Sequence, residues 1–375
     1  MKPAIYLDYN ASAPVRPQVV DAMAATMSRH GNASSVHRFG RLARRAVEEA
    51  REKVAALVGA PPAGVVFTGS GTEANNLALR GVGRRRVLVS AVEHDSVLRA
   101  APGATVAPVD GNGVVDPAAF VEAPSRADEP ALVSVMLVNN ETGVVQPVKE
   151  LSRLAREAGA LVHCDAVQAA GRLPLDMDDL GVDLLTLSAH KIGGPQGVGA
   201  LVVRGDIEIA PLMDGGGQER RRRPGTENVA GIVGFAVAAD LAREELAQVA
   251  GIAALRDELE DRIRAIAPEA VIYGCEASRV ANTSCIGLPG VRNEVQVMTL
   301  DLAGVAVSAG SACSSGKVTA SHVLRAMGAD EEAAAEAIRA SLGWGTTRED
   351  VDRFVEAWGK MHTRLGPRGL GDRAA

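Results

Sequence analysis

The sequence is poor in aromatic residues and has no excess of basic charge. Aromatic side chains make up only 3% of its 375 residues, so the core must be built largely from Ala, Val, Leu and Ile, the residues of tightly packed helix and sheet layers. Basic side chains are outnumbered by acidic ones, 40 to 46, and the net charge is −6. This charge opposes attraction to nucleic acid or to an anionic membrane, so we expect neither as a partner.

Long apolar segments and paired cysteines are also missing. The most apolar stretch, residues 131–138, is far too short to span a bilayer, and the start MKPAIYLDYN has no signal-like apolar core. The four cysteines, Cys164, Cys275, Cys285 and Cys313, show no CxxC pairing. So few cysteines fit a reducing compartment better than a disulfide scaffold. We therefore expect a cytoplasmic protein with no membrane segment and no metal site.

Short β-branched runs alternate with amphipathic helical stretches up to about residue 260. The expected strands are 65–68, 86–90, 132–138, 161–164, 183–187 and 198–203. This alternation predicts an α/β fold with a mostly parallel sheet covered by helices. We expect one helix to start with Pro147 at its first position and to stop at Gly159, and two long helices around 226–248 and 251–267.

The pattern changes after Pro268. Strand-like segments at 271–274, 282–288 and 306–308, a helix near 294–302, and helices to the C-terminus predict a smaller α+β domain. We place the large domain at residues 15–260 and the small domain at residues 1–14 and 261–375.

Lys191 is the first candidate for chemistry. It lies in SAHKIGGP, between a predicted strand and a Gly-rich turn. The chain has thirty-four arginines but only six lysines, and an amine that forms a Schiff base must be a lysine, because guanidinium does not deprotonate usefully. A solvated surface lysine is the alternative.

Asp165 and Gln168 follow the predicted strand LVHC. They would lie at the carboxyl edge of the sheet, where α/β enzymes bind ligands. An Asp there could keep the ring nitrogen of pyridoxal phosphate protonated, and Gln168 could donate to the phenolate oxygen of the ring. A helix N-cap is the alternative role for Asp165.

The segment VVFTGSGTEA predicts a strand, a glycine turn and a helix start at Gly71 and Thr72. Free N–H groups there would bind a phosphate. The same letters satisfy the dinucleotide fingerprint G-x-G-x-x-A, with Glu93 twenty residues beyond Glu73. A nicotinamide-dependent dehydrogenase is therefore an alternative, although it leaves Asp165 and Lys191 unexplained.

Several single residues have a functional and a structural interpretation. His94 could stack on an aromatic cofactor or relay protons, or be structural. Asn140 could contact a substrate carboxylate or simply form a turn. Thr226 begins a predicted helix and could bind a phosphate, while Arg339 could clamp a carboxylate or form an ordinary ion pair. Cys313, in the small-residue run SAGSACSSG, suits a nucleophile on an exposed loop better than a buried thiol.

Taken together, these segments resemble the cysteine desulfurases of the NifS/IscS type, which are fold-type I pyridoxal-phosphate enzymes. The resemblance covers nearly the whole chain. It runs from YLDYNASAP through FTGSGTEANNLAL, NNETGVVQP, HCDAVQAAGRLPLD and SAHKIGGPQGVGAL to SAGSACSSG and IRASLG. It implies a homodimer that converts L-cysteine to L-alanine and passes the sulfur to an acceptor such as an iron–sulfur scaffold protein. A selenocysteine lyase, or another β-eliminating relative, is the alternative enzyme.

The resemblance also implies a role for each candidate residue. Lys191 would hold pyridoxal 5′-phosphate as a Schiff base and abstract the substrate Cα proton, and Cys313 would carry the sulfur as a persulfide, with His94 favouring its thiolate. The remaining roles are Asp165 at the ring nitrogen, Gln168 at the phenolate oxygen, His94 stacked on the ring, Gly71, Thr72, Ser188 and His190 at the phosphate, Thr226 at the phosphate from the partner subunit, and Asn140 and Arg339 at the substrate carboxylate.

Two positions depart from the family pattern. Ala33 stands where the family usually has proline, and Trp344-Gly345 replaces the usual Arg-Phe. We expect the second departure to alter the shape around Arg339.

Overall fold

The structure, a computed structural model, describes residues 4–118, 131–310 and 320–366. The helices in these ranges are α1 (Pro17–Met27), α2 (Arg38–Leu57), α3 (Gly71–Gly81), α4 (Asp95–Leu98), α5 (Val148–Glu157), α6 (Met177–Leu180), α7 (Val229–Glu244), α8 (Val249–Ile266), α9 (Asn293–Leu302), α10 (His322–Ala326), α11 (Glu331–Ala334) and α12 (Arg348–Leu365). None of these helices is long and apolar enough to cross a membrane.

The strands form two main sheets and a separate pair. They are β1 (Ile5–Tyr6), β2 (Val65–Thr68), β3 (Arg86–Ser90), β4 (Thr105–Ala107), β5 (Ala131–Met136), β6 (Leu161–Asp165), β7 (Leu184–Ser188), β8 (Gly199–Val203), β9 (Val271–Ile272), β10 (Thr283–Gly287), β11 (Val305–Ala306), β12 (Ser308–Ala309) and β13 (Ala337–Ser341).

The large sheet has seven strands in the order β2-β8-β7-β6-β5-β3-β4. All its pairings are parallel except those of β8, which runs antiparallel to both neighbours. Every residue of β5 and β7 is buried, because helices cover both faces of the sheet, and this explains why these strands are nearly continuous apolar runs. The predicted α/β fold with a mostly parallel sheet is confirmed.

Local signals in the sequence set several helix ends. Ser70 caps α3 by accepting a hydrogen bond from the N–H of Glu73, as short polar side chains do at N-caps. Helix α5 begins one residue later than predicted, so Pro147 is its N-cap residue and not its first helical residue. Gly159 follows this helix with a φ of 76°, a conformation that costs glycine little.

The small domain is built around a four-stranded antiparallel sheet in the order β12-β13-β10-β9. Its core is separate from that of the large sheet and contains Leu7, Phe354 and Trp358. The N-terminal strand β1 pairs in parallel with β11, which brings the start of the chain to this domain. The exact boundaries of the two domains stay a prediction.

Strand β13 is not predicted by the local sequence pattern. The segment AIRAS lies between predicted helices, and its Ala and Arg residues favour helix. In the structure β13 pairs with β10 on one side and with β12 on the other, and this pairing overrides local propensity. As a result, Arg339 lies on a central strand, opposite Cys285 and Ser308.

Candidate active site

A cavity of about 330 Å³ lies at the carboxyl ends of the parallel strands, the edge at which open α/β sheets bind ligands. Ten of the twelve predicted site residues line it: Gly71, Thr72, His94, Asn140, Asp165, Gln168, Ser188, His190, Lys191 and Arg339. Thr226 does not; it borders a separate depression beside β2. Cys313 lies outside the described residues.

Lys191 lies in the tight turn that follows β7. Its Nζ donates to the carbonyl oxygen of Ala11 at 2.9 Å and to that of Asn10. Burial, followed by the positive charges of Arg339 and Arg172, lowers the pKa of the Lys191 amine to about 7. Near neutrality a large fraction of this amine is therefore unprotonated, the form that attacks a carbonyl or accepts a proton.

Asp165 is the last residue of β6 and is buried. Its Oδ2 accepts a hydrogen bond from Asn75 Nδ2 at 2.7 Å, and its Oδ1 accepts one from the N–H of Val167 at 3.0 Å. Two fixed donors hold the carboxylate at the cavity wall, where it could pair with the protonated nitrogen of a heteroaromatic ring.

His94 is the N-cap residue of α4. Its Nδ1 accepts a hydrogen bond from the N–H of Ser96 at 3.1 Å and lies 2.8 Å from the Ser96 hydroxyl. Burial lowers the pKa of the imidazole, and the positive Lys191 lowers it further. The ring is therefore a neutral, flat surface at physiological pH, suited to stacking on an aromatic ligand.

The N-terminus of α3 forms the anion-binding end of the cavity. A Cβ at Gly71 would lie 3.1 Å from Val167 and 3.3 Å from the Ser188 side chain, so a residue without a side chain lets the helix start approach this wall. Free N–H groups and the helix dipole favour a phosphate here. Thr72, Ser188 and His190 line the same end, and burial lowers the pKa of His190 to about 4.

Arg339 and Asn140 lie on the wall next to the small domain. Arg339 Nη1 donates to the Asn140 carbonyl oxygen at 3.0 Å, and Nη2 donates to Asp8 Oδ1 at 2.7 Å. Its Nε is buried and has no hydrogen-bond partner among the described residues. The guanidinium is thus held in one orientation with donor capacity to spare for a small carboxylate.

Gln168 is held by a cation that the sequence analysis did not select. Its Oε1 accepts a hydrogen bond from Arg172 Nη1 at 2.5 Å, and its Nε2 donates to the Asn10 carbonyl oxygen at 2.9 Å. Because a guanidinium can only donate, this contact fixes which end of the amide carries the oxygen. The second hydrogen on Nε2 is left for a ligand.

The cavity has other walls that the sequence analysis did not predict. They include Asn10, Ala11, Ser70, Asn75 and Ser96. Most of these residues lie inside motifs that were recognised, but turn and helix formation explained them equally well. Only the packing of distant segments reveals that these residues line the cavity.

The three described cysteines lie away from this cavity. Cys164 and Cys285 are fully buried on β6 and β10, and burial raises the pKa of both thiols. Cys275 is exposed and borders a shallow, charged depression of the small domain. Among the described residues, therefore, no thiol faces a ligand in the cavity.

A second cavity of about 310 Å³ lies on another side of Lys191, between the two domains. Its lining acid, Glu245, is paired with Arg16, so we assign the chemistry to the first cavity. Trp344 lines this second space, with the Arg16 guanidinium 4.2 Å above its ring. Trp344 is not among the residues that line the cavity containing Arg339, and its expected effect on the shape around Arg339 stays a prediction.

The first cavity fits pyridoxal phosphate and not a dinucleotide. Lys191 offers an amine of low pKa, Asp165 a fixed carboxylate, and the start of α3 an anion site. The dinucleotide alternative fails at Glu93, which would have to bind a ribose. Glu93 is fully buried, and its Oε1 accepts a hydrogen bond from the N–H of Met136 at 2.6 Å.

Comparison with known proteins gives consistent matches along the chain. The model of the family Aminotransferase class-V matches residues 5–354. The chain is 41% identical to "Cysteine desulfurase IscS" of Dictyoglomus turgidum, over 97% of this chain and 96% of that protein. It is 42% identical to the "IscS-like cysteine desulfurase" of Mycobacterium tuberculosis, over 94% of each. The X-ray structure of a NifS-like protein from Rickettsia africae superposes with a TM-score of 0.89 at 34% identity, covering 96% of this chain and 99% of that one.

Proposed function

Because the chain belongs to the aminotransferase class-V family, and within it to the cysteine desulfurases, we propose that it takes sulfur from L-cysteine, releases L-alanine and holds the sulfur on Cys313. The observation that carries this proposal is the convergence of Lys191, Asp165 and Arg339 on one cavity. They supply a neutral amine, a ring partner and a carboxylate clamp, which are the groups that this chemistry requires.

Pyridoxal 5′-phosphate is the cofactor that these residues suit. Lys191 would hold it covalently, Asp165 would meet its ring nitrogen, Gln168 its phenolate oxygen, His94 the face of its ring, and Gly71, Thr72, Ser188 and His190 its phosphate. When bound, it withdraws electrons from the substrate and so stabilises negative charge at Cα.

Arg339 and Asn140 would bind the carboxylate of the substrate. Arg339, oriented by Asp8 and by the Asn140 carbonyl, would donate hydrogen bonds to the cysteine carboxylate. The Asn140 side-chain amide makes no hydrogen bond to any described residue and would contact the same carboxylate. Lys191, with its pKa lowered to about 7, would take the Cα proton as a neutral amine.

Cys313 would then attack the substrate sulfur. A sulfur–sulfur bond forms, the carbon–sulfur bond breaks, and the substrate carbon regains a proton to become alanine, so that Cys313 is left as a persulfide. The contacts of Glu141 support this role. Glu141 Oε2 accepts a hydrogen bond from Ser321 at 2.6 Å, and a Cβ at Gly310 would lie 2.6 Å from the same oxygen. Gly310 and Ser321, which lie on either side of the segment that contains Cys313, are therefore both next to Glu141, the residue after Asn140.

We also propose a homodimer in which a second copy supplies Thr226 to the phosphate. Thr226 lies outside the cavity of its own chain. Large apolar side chains are exposed on α1 and in the loop before Thr226, at Val20, Met27, Leu212 and Met213, which supports burial against another chain.

An iron–sulfur scaffold is our proposed sulfur acceptor, and the free cysteines fit the cytoplasm.

The test compares alanine and sulfide production from L-cysteine under reducing conditions in the wild-type protein, Cys313→Ala and Cys275→Ala, at matched cofactor content. The Cys275 variant removes an exposed thiol distant from the cavity and should keep full activity. We expect Cys313→Ala to bind the cofactor but to lose both products. Full product release by Cys313→Ala would instead indicate a β-eliminating lyase that needs no thiol.

A further inference from the structure

A chain of hydrogen bonds joins His94 to Asp165 through two residues with no assigned role. Asn75 Nδ2 donates to Asp165 Oδ2 at 2.7 Å and to Ser96 Oγ at 2.9 Å. Ser96 Oγ lies 2.8 Å from His94 Nδ1. These hydrogen bonds link α3, α4 and the end of β6. Asn75 is almost completely buried.

The hydrogen-bond donors around His94 fix which of its two ring nitrogens carries the hydrogen. A backbone N–H can only donate, so the contact from the N–H of Ser96 makes His94 Nδ1 an acceptor. Asn75 donates to the Ser96 oxygen, which leaves the hydroxyl hydrogen of Ser96 to point at the same ring nitrogen. A neutral His94 therefore carries its hydrogen on Nε2, the only ring nitrogen left for a ligand.

The orientation of Asn75 has a cost. Its Oδ1 is buried and has no hydrogen-bond partner among the described residues, and leaving a buried carbonyl unpaired destabilises a fold. Turning the amide over would place this oxygen against the Asp165 carboxylate. The structure keeps both amide hydrogens on the Asp165 and Ser96 side and accepts the unpaired oxygen.

We propose that Asn75 is a positioning residue that acts on two sides of the cofactor: it holds the Asp165 carboxylate and, by orienting the Ser96 hydroxyl, adds a second donor to His94 Nδ1 that reinforces the Nε2–H tautomer. This inference rests on the proposed function for its meaning in catalysis. It also limits what His94 can do for the sulfur step. His94 can assist a thiolate by donating from Nε2, but it does not take the Cys313 proton there.

The charges around His94 come from four elements. Asp165 of β6 and Asp95 of α4 raise its pKa, whereas Lys191 after β7 and His322 of α10 lower it, and burial lowers it more than any of these. Removing the Asn75 amide takes away the hydrogen-bond donor to Ser96 Oγ and to Asp165 Oδ2. The imidazole of His94 then experiences more of the negative charge of Asp165. Both changes favour the protonated ring, so the pKa of His94 should rise.

The experiment is an NMR titration of His94 in the cofactor-free protein, with its signal assigned by His94→Gln. The variants are Asn75→Ala and Ser96→Ala. The matched control is Asn76→Ala, whose side chain donates to the Thr72 carbonyl at 2.9 Å and reaches Ser96 only at its backbone carbonyl, at 3.5 Å. We expect the pKa to rise by about half to one pH unit in the first two variants and to stay unchanged in the control.

A second measurement separates the two actions of Asn75. The dissociation constant for pyridoxal phosphate should rise roughly tenfold in Asn75→Ala and less in Ser96→Ala, because only Asn75 contacts Asp165. An unchanged His94 pKa in both folded variants would overturn the inference. If Asn75→Ala does not fold, the pKa of His94 in Ser96→Ala tests the hydrogen-bond path by itself. The titration uses no cofactor and no cysteine, so it stays valid even if the proposed function fails.

Discussion

Lys191 should lose its proton near pH 7, some three pH units below an ordinary lysine. The cause is burial, reinforced by the positive charges of Arg339 and Arg172. At pH 7 about half of the Lys191 amines are then neutral, against roughly one in 2,500 for an ordinary lysine. Lys191 therefore has about a thousandfold more of the reactive form than an exposed lysine at this pH. As the pH falls through 7, Lys191 gains its proton and loses this advantage.

Trace acetylation of the cofactor-free protein, followed by peptide mass mapping, measures this pKa, because only neutral amines react. Exposed Lys149 and Lys360 serve as internal controls. Labelling of Lys191 should level off above about pH 8, whereas labelling of an ordinary lysine keeps rising beyond pH 9. In Arg339→Gln the midpoint should move up, because a neighbouring positive charge is lost. Lys191 labelling that rises in parallel with Lys149 over the whole range would refute the argument.

Two further substitutions test the substrate wall and the loop before Thr226. Arg339→Gln should raise the KM for L-cysteine by roughly tenfold to a hundredfold, the worth of a charged hydrogen bond, while binding of pyridoxal phosphate changes little; equal losses of both would contradict a carboxylate role. Glu219→Ala should lower the free energy of unfolding in urea by about 3–5 kcal/mol, because the buried Arg51 would lose the carboxylate that accepts two hydrogen bonds from it at 2.8 Å. Glu49→Ala, which breaks the exposed pair with Arg45, should leave the free energy of unfolding nearly unchanged, because solvent screens an exposed ion pair.

Much of the site follows from local sequence order. Asp165 and Lys191 each follow a recognisable apolar strand, and Gly71 opens a helix after another. Parallel strands end at one edge of a sheet, so residues that follow them must converge there, whatever the details of packing. The alternation of strands and helices predicted that edge, and the motif order along the chain identified the family.

Other features depend on contacts between distant segments. Arg339 lies on β13 because that strand pairs with β10 and β12, although its own residues favour helix. Asn75 meets Asp165 across ninety positions of sequence, and the Gln168 amide donates to the Asn10 carbonyl oxygen across 158 positions. Nothing in the local pattern distinguished Asn75 from its neighbour Asn76.

The sequence by itself therefore determined the family and the mostly parallel sheet and supplied the candidate reactive groups, because backbone periodicity and short motifs are local properties. The tertiary structure decided the state of those groups. The lowered pKa of Lys191, the hydrogen bond that holds Asp165 and the contact of Gln168 with Asn10 arise from burial and from partners far away in the chain. Desolvation and hydrogen-bond direction exist only once the segments pack, and they convert a set of suitable residues into an organised site.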